Sequence, residues 1–520
     1  MNAKPGSTST VSNGDMRRVR PRNAAKAFRQ IRRRLIPLLA LAALLTACSA
    51  RRLPTPPVAA APGPVAAPAP PPVDVPALIE RGCFTCLERA LAEARRRDAP
   101  DLIFEAATLL AMRAKELGLP HQEWVDAATR AAAGDTARTG LLEIVAAMPL
   151  DPLSGGSGGL PTRGLARARI DTVGVNAWIE GLATAPGSPP FRHYLTLALR
   201  CSSAGPVTNP AATVPDGVRT VPLVRYRLGI CGNAHGDELR AVRAADAEFV
   251  DADYVLGQYA LQLRPYPDAD EAARRFQSAA AAFPASPAIA TSLGDVQQEI
   301  EDWNAALRAY DAALALVGDH PEALRGRTIV QATAGDYLGA IETATKLMAR
   351  QVYLGEAFYW RAWSHFQLGH HEIARADADR MKTLRLNSRV FLLSGMIDWR
   401  LRRLESAEIE FEESITMDGG QCEAATFLGG VRNERGKSRE ALEAFKAAVR
   451  CWDLGIIVRR EALRILEASA APESYKTRGV ARYLRDIAQA ERRRDEAANG
   501  VALLEKYLTS IQGPQTPQRP

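Results

Sequence analysis

Apolar residues recur at intervals of three and four positions through most of the chain after Val75, and strict alternation of apolar and polar positions is rare. This spacing is typical of amphipathic helices that bury one face. It predicts antiparallel helices joined by short turns over 77–97, 101–117 and 122–133. Glycine and proline interrupt the pattern at 152–165 and 202–222, where loops are expected. The sequence therefore predicts an all-α protein with a helical N-terminal region over 77–250.

A second pattern is a repeat with a period near 34 residues between 251 and 452. The clearest copies share a Leu-Gly pair followed by small and aromatic residues. These are Leu293, Gly294, Ala306, Tyr310 and Ala313 in 287–320, and Leu428, Gly429, Gly436, Ala441, Phe445 and Ala448 in 422–452. Small residues at such positions allow two helix backbones to approach closely, while the larger residue fills the gap to the next unit.

These positions resemble the tetratricopeptide repeat (TPR). The resemblance implies a TPR-type α-solenoid, in which about six antiparallel helix pairs over 251–452 form a right-handed superhelix. A solenoid cannot end on an apolar face, so 453–508 is expected to supply capping helices. The tail at 509–520 contains three prolines and is expected to be disordered.

Before the helices lies a short apolar run, 35–47, which follows a basic stretch and ends at Leu45-Thr46-Ala47-Cys48. Thirteen residues are too few to cross a bilayer. The segment resembles the lipobox of bacterial lipoprotein signal peptides. The resemblance implies a signal peptide over 1–48, with translation starting at Met1 or Met16, that is cleaved before Cys48. Cys48 would then carry lipid acyl chains such as palmitate. Residues 49–76 are Pro- and Ala-rich and are expected to form a flexible tether.

The formal net charge of +7 comes from residues 1–48, the leader. Residues 1–48 hold ten of the Lys and Arg and one of the acidic residues, so the remaining chain carries 56 basic and 58 acidic side chains. Without the leader the protein has no basic excess. We therefore expect no nucleic-acid partner.

Six cysteines remain after Cys48, and their spacing suggests three local pairs: Cys83 with Cys86, Cys201 with Cys231, and Cys422 with Cys451. Disulfides are permitted in an exported protein. Free buried cysteines are the alternative for Cys422 and Cys451. For Cys83 and Cys86, a redox-active dithiol is a second reading, because a helix N-terminus lowers thiol pKa values.

The sequence has no nucleophile elbow, phosphate-binding loop or zinc-protease helix. His365 and His370 could bind a metal only by fortunate geometry, and solvated turn histidines are commoner. We predict no catalytic residue, no metal site and no cofactor.

The TPR resemblance implies a partner-binding concave surface formed by the first helix of each unit. Aligning the repeats on their small residues places aromatic, apolar and basic residues there in the fourth and fifth units. The predicted partner-binding residues are Tyr359, Trp363, Phe366, Met396, Trp399 and Arg400. Arg361 and His365 occupy offsets that are normally buried. A rotated fourth-unit helix is therefore the alternative, and it would place Trp363 and Phe366 in the core.

The preferred interpretation is a non-enzymatic, lipid-anchored scaffold of the bacterial cell envelope, facing the periplasm and binding a protein or peptide. Ser49 is not acidic, which favours the outer over the inner membrane. The alternative is an envelope enzyme or thiol-redox helper with its activity in 77–250 and the repeats used for docking. A third possibility is that 77–250 consists of divergent repeats that continue the solenoid.

Overall fold

The computed structural model describes residues 73–148, 181–182, 186–204, 210–231, 236–263, 265–384 and 387–512. The chain divides into two units, 1–72 and 73–520, of which only the second is described. The predicted signal peptide, Cys48, most of the tether, the loop at 152–165 and residues 513–520 lie outside the described residues. Every regular element in the described ranges is helical.

The N-terminal region contains nine α-helices within the described ranges. They are α1 Val75–Arg81, α2 Phe84–Arg96, α3 Pro100–Glu116, α4 Gln122–Ala131, α5 Thr136–Ala147, α6 Pro189–Ala204, α7 Asp216–Arg219, α8 Pro222–Cys231 and α9 Asp237–Ala245. A 3-10 turn, Pro210–Thr213, precedes α7.

Six helix pairs follow, and each first helix packs against the second helix of its own pair. The pairs are α10 Asp251–Gln262 with α11 Ala269–Ala282, α12 Pro287–Glu299 with α13 Trp303–Leu316, α14 Pro321–Ala334 with α15 Tyr337–Ala349, α16 Leu354–Gln367 with α17 His371–Leu384, α18 Ser388–Arg400 with α19 Leu404–Met417, and α20 Cys422–Glu434 with α21 Ser438–Ala468. A final helix, α22, spans Glu473–Gln512.

Local sequence signals start and stop these helices. Side chains of Asp268, Ser286 and Asp302 accept hydrogen bonds from backbone N–H groups three residues on, at the starts of α11, α12 and α13. Such caps satisfy donors that the first helical turn leaves unpaired. Gly335 ends α14 in the left-handed region, with φ of 87°, which glycine adopts without strain. Helix boundaries in the repeats therefore follow directly from the sequence.

Glycines in the first helices of the repeats mark close contacts within several helix pairs. A Cβ atom on Gly294 would lie 2.6 Å from the ring of Tyr310, and one on Gly395 would lie 2.7 Å from the ring of Phe411. The glycine of the first helix thus makes room for the aromatic ring of the second. The prediction of an all-α, TPR-type solenoid is confirmed.

The N-terminal helices, the first repeat pair and α12 share one hydrophobic core, which extends from Val75 to Val296. Two buried ion pairs reinforce it. Arg113 on α3 pairs with Asp251 at the start of α10, and Arg227 on α8 pairs with Glu116. All four side chains are at most 3 % exposed. The N-terminal region is therefore anchored to the array by charge as well as by apolar packing.

The structure differs from the predicted boundaries near both ends of the array. α1 begins at Val75, inside the predicted tether, because Asp74 caps it. The predicted loop at 202–222 contains the 3-10 turn and α7.

At the C-terminal end, α21 runs without a break through the expected boundary at 452, and α22 reaches Gln512 in the predicted tail. The reason is packing: α21 and α22 form a long antiparallel hairpin, with Ile456, Ile487 and Ala490 buried between them.

Candidate functional site

A cavity of about 930 Å³ lies between α16 and α18, the first helices of the fourth and fifth pairs, and the middle of α21. We call it the groove. Its apolar lining comes from three helices: Tyr359 and Trp363 on α16, Leu392, Leu393 and Met396 on α18, and Trp452, Leu454 and Val458 on α21. Gly419, Gly420 and the start of α20 close one end.

Helical spacing brings these side chains together. Tyr359 and Trp363 are four residues apart, as are Leu392 and Met396, so each pair lies on one face of its helix. On the opposite wall, Leu454 and Val458 have the same spacing. The groove therefore has two apolar walls that face each other.

The α21 wall is unusually exposed. Leu454 is 63 % exposed and Val458 is 59 % exposed, although both are large hydrophobic residues. Neighbouring apolar residues on the same helix, Ile457 and Ile465, are also more than half exposed. Contiguous exposed apolar surface in a folded protein marks an interaction site more often than single exposed residues do.

Charge at the groove is positive. Arg389 is exposed, and no carboxylate of the described residues lies within ion-pair distance of it. Arg459 donates to the backbone carbonyl of Gly455 at 3.0 Å. The acidic residue of the lining, Glu423, lies 3.4 Å from Arg493. Burial raises the pKa of the Tyr359 hydroxyl, and Arg389 opposes this. The groove thus offers apolar walls and guanidinium groups.

A disulfide joins the start of α20, which closes one end of the groove, to the α21 wall. Cys422 at the start of α20 is bonded to Cys451 on α21, with Cα atoms 5.4 Å apart, and both residues line the cavity. Trp452 is also held, because its Nε1 donates to the hydroxyl of Thr426 at 3.1 Å. The start of the α21 wall is therefore fixed covalently to the last repeat.

Three of the six predicted partner-binding residues line the groove: Tyr359, Trp363 and Met396. Phe366 does not, because it is buried among Ala362, Met381 and Ile397. The alternative of a rotated helix therefore fits Phe366, which is buried, but not Trp363, which lines the groove.

The other two predicted residues lie outside the lining. Trp399 packs against Gly430 and Phe427, and its Nε1 donates to Glu434 at 3.0 Å. Arg400 is exposed but is not among the lining residues. The alignment by small residues fails for Phe366 and Trp399, which lie nearer the C-terminal ends of their helices, where contacts to the next pair decide burial.

Residues of α21 were missed by sequence reasoning. Leu454, Val458 and Arg459 fall in the segment that was assigned to a cap. The signal that could have found them is the continuous helical pattern from 438 to 468, in which Gly455 is the one weak position. The extension of this repeat helix beyond its expected length brings new side chains to the groove.

The remaining cysteines form the two other pairs that the spacing suggested. Cys83 is bonded to Cys86, and Cys201 is bonded to Cys231. Cys83 is the N-cap of α2, which is the position that activates a thiol. Both Cys83 and Cys86 are 0 % exposed, however. Because thiol–disulfide exchange needs direct attack on a sulfur, this burial counts against the thiol-redox alternative.

Cys83, Cys86 and Asp246 have the side chains of a possible metal site, because Asp246 lies close to both sulfur atoms. The two sulfurs are bonded to each other, and Arg81 donates to Asp246 at 2.7 Å. Within the described ranges, these groups are thus engaged in other interactions.

No described helix is both long enough and apolar enough to cross a membrane.

His365 and His370 lie together at the turn between α16 and α17, with their Nδ1 atoms 3.3 Å apart. Burial lowers the pKa of His365, Asp377 opposes this, and the neighbouring His370 and Arg361 add to the lowering. Among the described residues, no further His, Cys, Asp or Glu lies close enough to complete a three-ligand group with these two. The pair therefore gives no reason to revise the prediction of no metal site.

No family profile and no curated protein sequence matches the chain. Solved structures of repeat proteins do match in part. A tetratricopeptide repeat protein from Parabacteroides merdae is 14 % identical, with a TM-score of 0.34, over 43 % of this chain and 86 % of its own.

PilF of Pseudomonas aeruginosa is 16 % identical, with a TM-score of 0.33, over 44 % of this chain and 95 % of its own. YrrB, described as a TPR protein with an unusual peptide-binding site, is 20 % identical, with a TM-score of 0.31, over 34 % of this chain and 93 % of its own. Similarity at this level says nothing about function.

Proposed function

We propose that this protein is a non-enzymatic scaffold whose groove binds a segment of a partner protein. The observation that carries the proposal is the groove itself, in which exposed Leu454 and Val458 face Tyr359, Trp363 and Met396 across an open cavity. Aromatic and apolar anchors beside an arginine are the composition of protein-binding hot spots.

The charges specify the partner segment further. Apolar side chains are needed to fill the two walls, since burying them removes apolar surface from water. Arg389 has no acidic partner among the described residues, so a carboxylate on the segment would find a favourable site there. The proposed ligand is thus an apolar segment with a nearby Asp or Glu.

Anchoring and location form part of the same proposal. Cys48 would be lipidated and would attach the protein to the envelope membrane, with the repeats facing the periplasm and the outer membrane preferred. The support is the lipobox-like sequence together with three disulfides, which persist in oxidising compartments. The test is incorporation of labelled palmitate in cells, which should be lost in Cys48→Ala; equal labelling of that variant would contradict the proposal.

The groove is tested with peptides selected from a random display library on the purified protein. We expect selected peptides to share apolar residues and an acidic residue. Val458→Asp should weaken their binding by at least about ten-fold, because it places a charge in an apolar wall. Val458 is exposed, so the variant should fold normally.

The matched control is Leu338→Asp, which also replaces an exposed apolar residue by aspartate; Leu338 is 69 % exposed and lies on α15, outside the groove. Arg389→Glu should weaken binding and reverse the preference for acidic peptides. Equal binding by Val458→Asp and the wild type would show that peptides bind elsewhere.

A further inference from the structure

The α21–α22 hairpin reaches back from the last repeat to the first two. Near its tip, Nη1 of Arg478 lies 2.6 and 2.7 Å from the two carboxylate oxygens of Asp270, at the start of α11. The rings of Tyr475 and Tyr266 also meet there, with centroids 5.5 Å apart. The hydrogen bond from Arg478 lowers the pKa of the Asp270 carboxyl group.

Two further arginines extend this contact to the turn that follows α12. Nη2 of Arg485 lies 2.6 and 2.8 Å from the carboxylate oxygens of Glu301. Arg482 donates to the same carboxylate at 3.3 Å and to the backbone carbonyl of Glu299 at 3.2 Å. Arg478, Arg482 and Arg485 are four and three residues apart, so they form a row on one face of α22. We call their interactions with Asp270, Glu299 and Glu301 the latch.

The base of the hairpin is held differently. Phe445 of α21 packs between Gly429 of α20 and Gly500 of α22, where Cβ atoms would lie 2.8 and 3.0 Å from its ring. The Cys422–Cys451 disulfide lies in the same region. Apolar packing and a covalent bond fix the base, whereas the contacts at the tip are dominated by ion pairs.

The groove lies between these two attachments. From Arg478 to Arg493, which contacts Glu423 of the last repeat, α22 covers about 22 Å. Leu454 and Val458 belong to the part of α21 that begins just beyond the disulfide. Their distance from the opposite wall therefore depends on whether the tip of the hairpin is held.

We propose that the latch positions α21 as the second wall of the groove, so that the ion pairs at the tip control the groove's affinity for its ligand. The inference rests on the proposed function for its effect on binding, but the latch can be tested without a ligand. Its charged side chains are between 29 and 62 % exposed, so salt screens them. High ionic strength should release the tip while the base stays attached.

The first experiment measures the distance between the tip and the first repeat by double electron–electron resonance. Spin labels carried by unnatural amino acids replace Ala470 in the hairpin loop and Gln277 on α11, both exposed, so that the disulfides stay intact. We expect a narrow distance distribution at about 20 mM NaCl and a broader, longer one at about 500 mM.

The latch variant for this experiment is Arg478→Gln/Arg482→Gln/Arg485→Gln, which should show the broad distribution at low salt. The control is Arg492→Gln on the same helix, because Arg492 is exposed and forms no ion pair with the described residues. A narrow distribution for the latch variant at low salt would overturn the latch, and so would a broad one for the wild type.

The second experiment measures the affinity of a groove-selected peptide for the same proteins. When only a fraction of molecules has the binding conformation, the apparent Kd rises by the reciprocal of that fraction. We expect a rise of about five-fold or more for the latch variant and no change for Arg492→Gln.

The two measurements separate the two proposals. An open hairpin with unchanged affinity would overturn control of the groove by the latch and leave the proposed function intact. If no peptide depends on Val458, the proposed function fails, and the distance measurement still decides whether the latch closes the hairpin.

Discussion

The ion pair between Arg113 and Asp251 offers a sharp test of how the N-terminal region is attached to the repeats. Both side chains are 0 % exposed, and the Arg113 guanidinium carbon also lies 3.3 Å from the centroid of the Tyr226 ring. Burial raises the pKa of the Asp251 carboxyl group, and Arg113 opposes this rise. Asp251→Ala removes the acid and leaves the guanidinium without its main partner.

The expected cost follows from the burial of Arg113. Removing one member of a fully buried pair typically destabilises a protein by about 3–5 kcal/mol, because the remaining charge has neither water nor a counter-ion. Glu116, with Oε2 3.9 Å from Nε of Arg113, reduces this cost in part. We therefore expect Asp251→Ala to lower the free energy of unfolding by about 3 kcal/mol. The melting temperature should fall by only roughly 3–4 °C, because the entropy of unfolding grows with the number of ordered residues.

Urea denaturation followed by circular dichroism measures this change. The control is Glu491→Ala, which breaks an exposed pair with Arg460 and should cost less than about 1 kcal/mol. The double variant Arg113→Met/Asp251→Leu removes both charges and should be more stable than Asp251→Ala, because no unpaired charge remains. A change below 1 kcal/mol for Asp251→Ala would refute the buried arrangement.

Three further predictions concern single features of the array and the groove. Burial raises the pKa of Asp295 from 3.8 to about 6, while the hydrogen bond from Tyr310 opposes the rise. Between about pH 4 and pH 6, Asp295 is therefore protonated in the folded state and ionised in the unfolded state. The free energy of unfolding falls as the pH rises through this range. Asp295→Asn should remove at most about 3 kcal/mol of this dependence in urea titrations, and parallel curves for the two proteins would contradict the assignment. Replacing Cys422 and Cys451 by serine should cost about 3–4 kcal/mol, since their bond closes a loop with a sequence separation of 29; unchanged denaturation midpoints would show that the bond does not form. Gly395→Val should destabilise the fifth pair by about 2 kcal/mol or more, because its side chain meets the Phe411 ring. Gly419→Ala serves as a control, because a Cβ atom at Gly419 would meet no atom within 4 Å.

The repeat fold could be predicted because its defining contacts join residues that are close together in the sequence. The Gly294–Tyr310 and Gly429–Phe445 contacts join residues sixteen positions apart, within one helix pair. The period of such pairs therefore reports the architecture directly. The cysteine pairs were accessible for the same reason, since each lies within about 30 residues.

Contacts between distant segments could not be predicted. The pair Arg113–Asp251 joins residues 138 positions apart, and Arg478–Asp270 joins residues 208 apart. Neither has a signature in local sequence, since arginine and aspartate also occur throughout the exposed surface. The hairpin's return to the first repeats, and with it the α21 wall of the groove, depends on such contacts.

Burial of aromatic residues was predictable only in part. Trp363 and Phe366 are three positions apart on one helix, yet one contacts the groove and the other is enclosed by α17 and α18. Three positions along a helix turn a side chain by only about 60° relative to the first, so the two residues point in similar directions. Periodicity alone does not resolve a rotation of this size.

The most direct test of the groove is the mapping of cross-links from a photoreactive copy of a selected peptide. Mass spectrometry of the wild-type complex should find adducts on Met396, Leu454 and Val458, and Val458→Asp should remove them while Leu338→Asp leaves them unchanged. Adducts on other exposed apolar residues, such as Leu503 or Tyr507 of α22, would instead contradict the account and place the binding surface outside the groove.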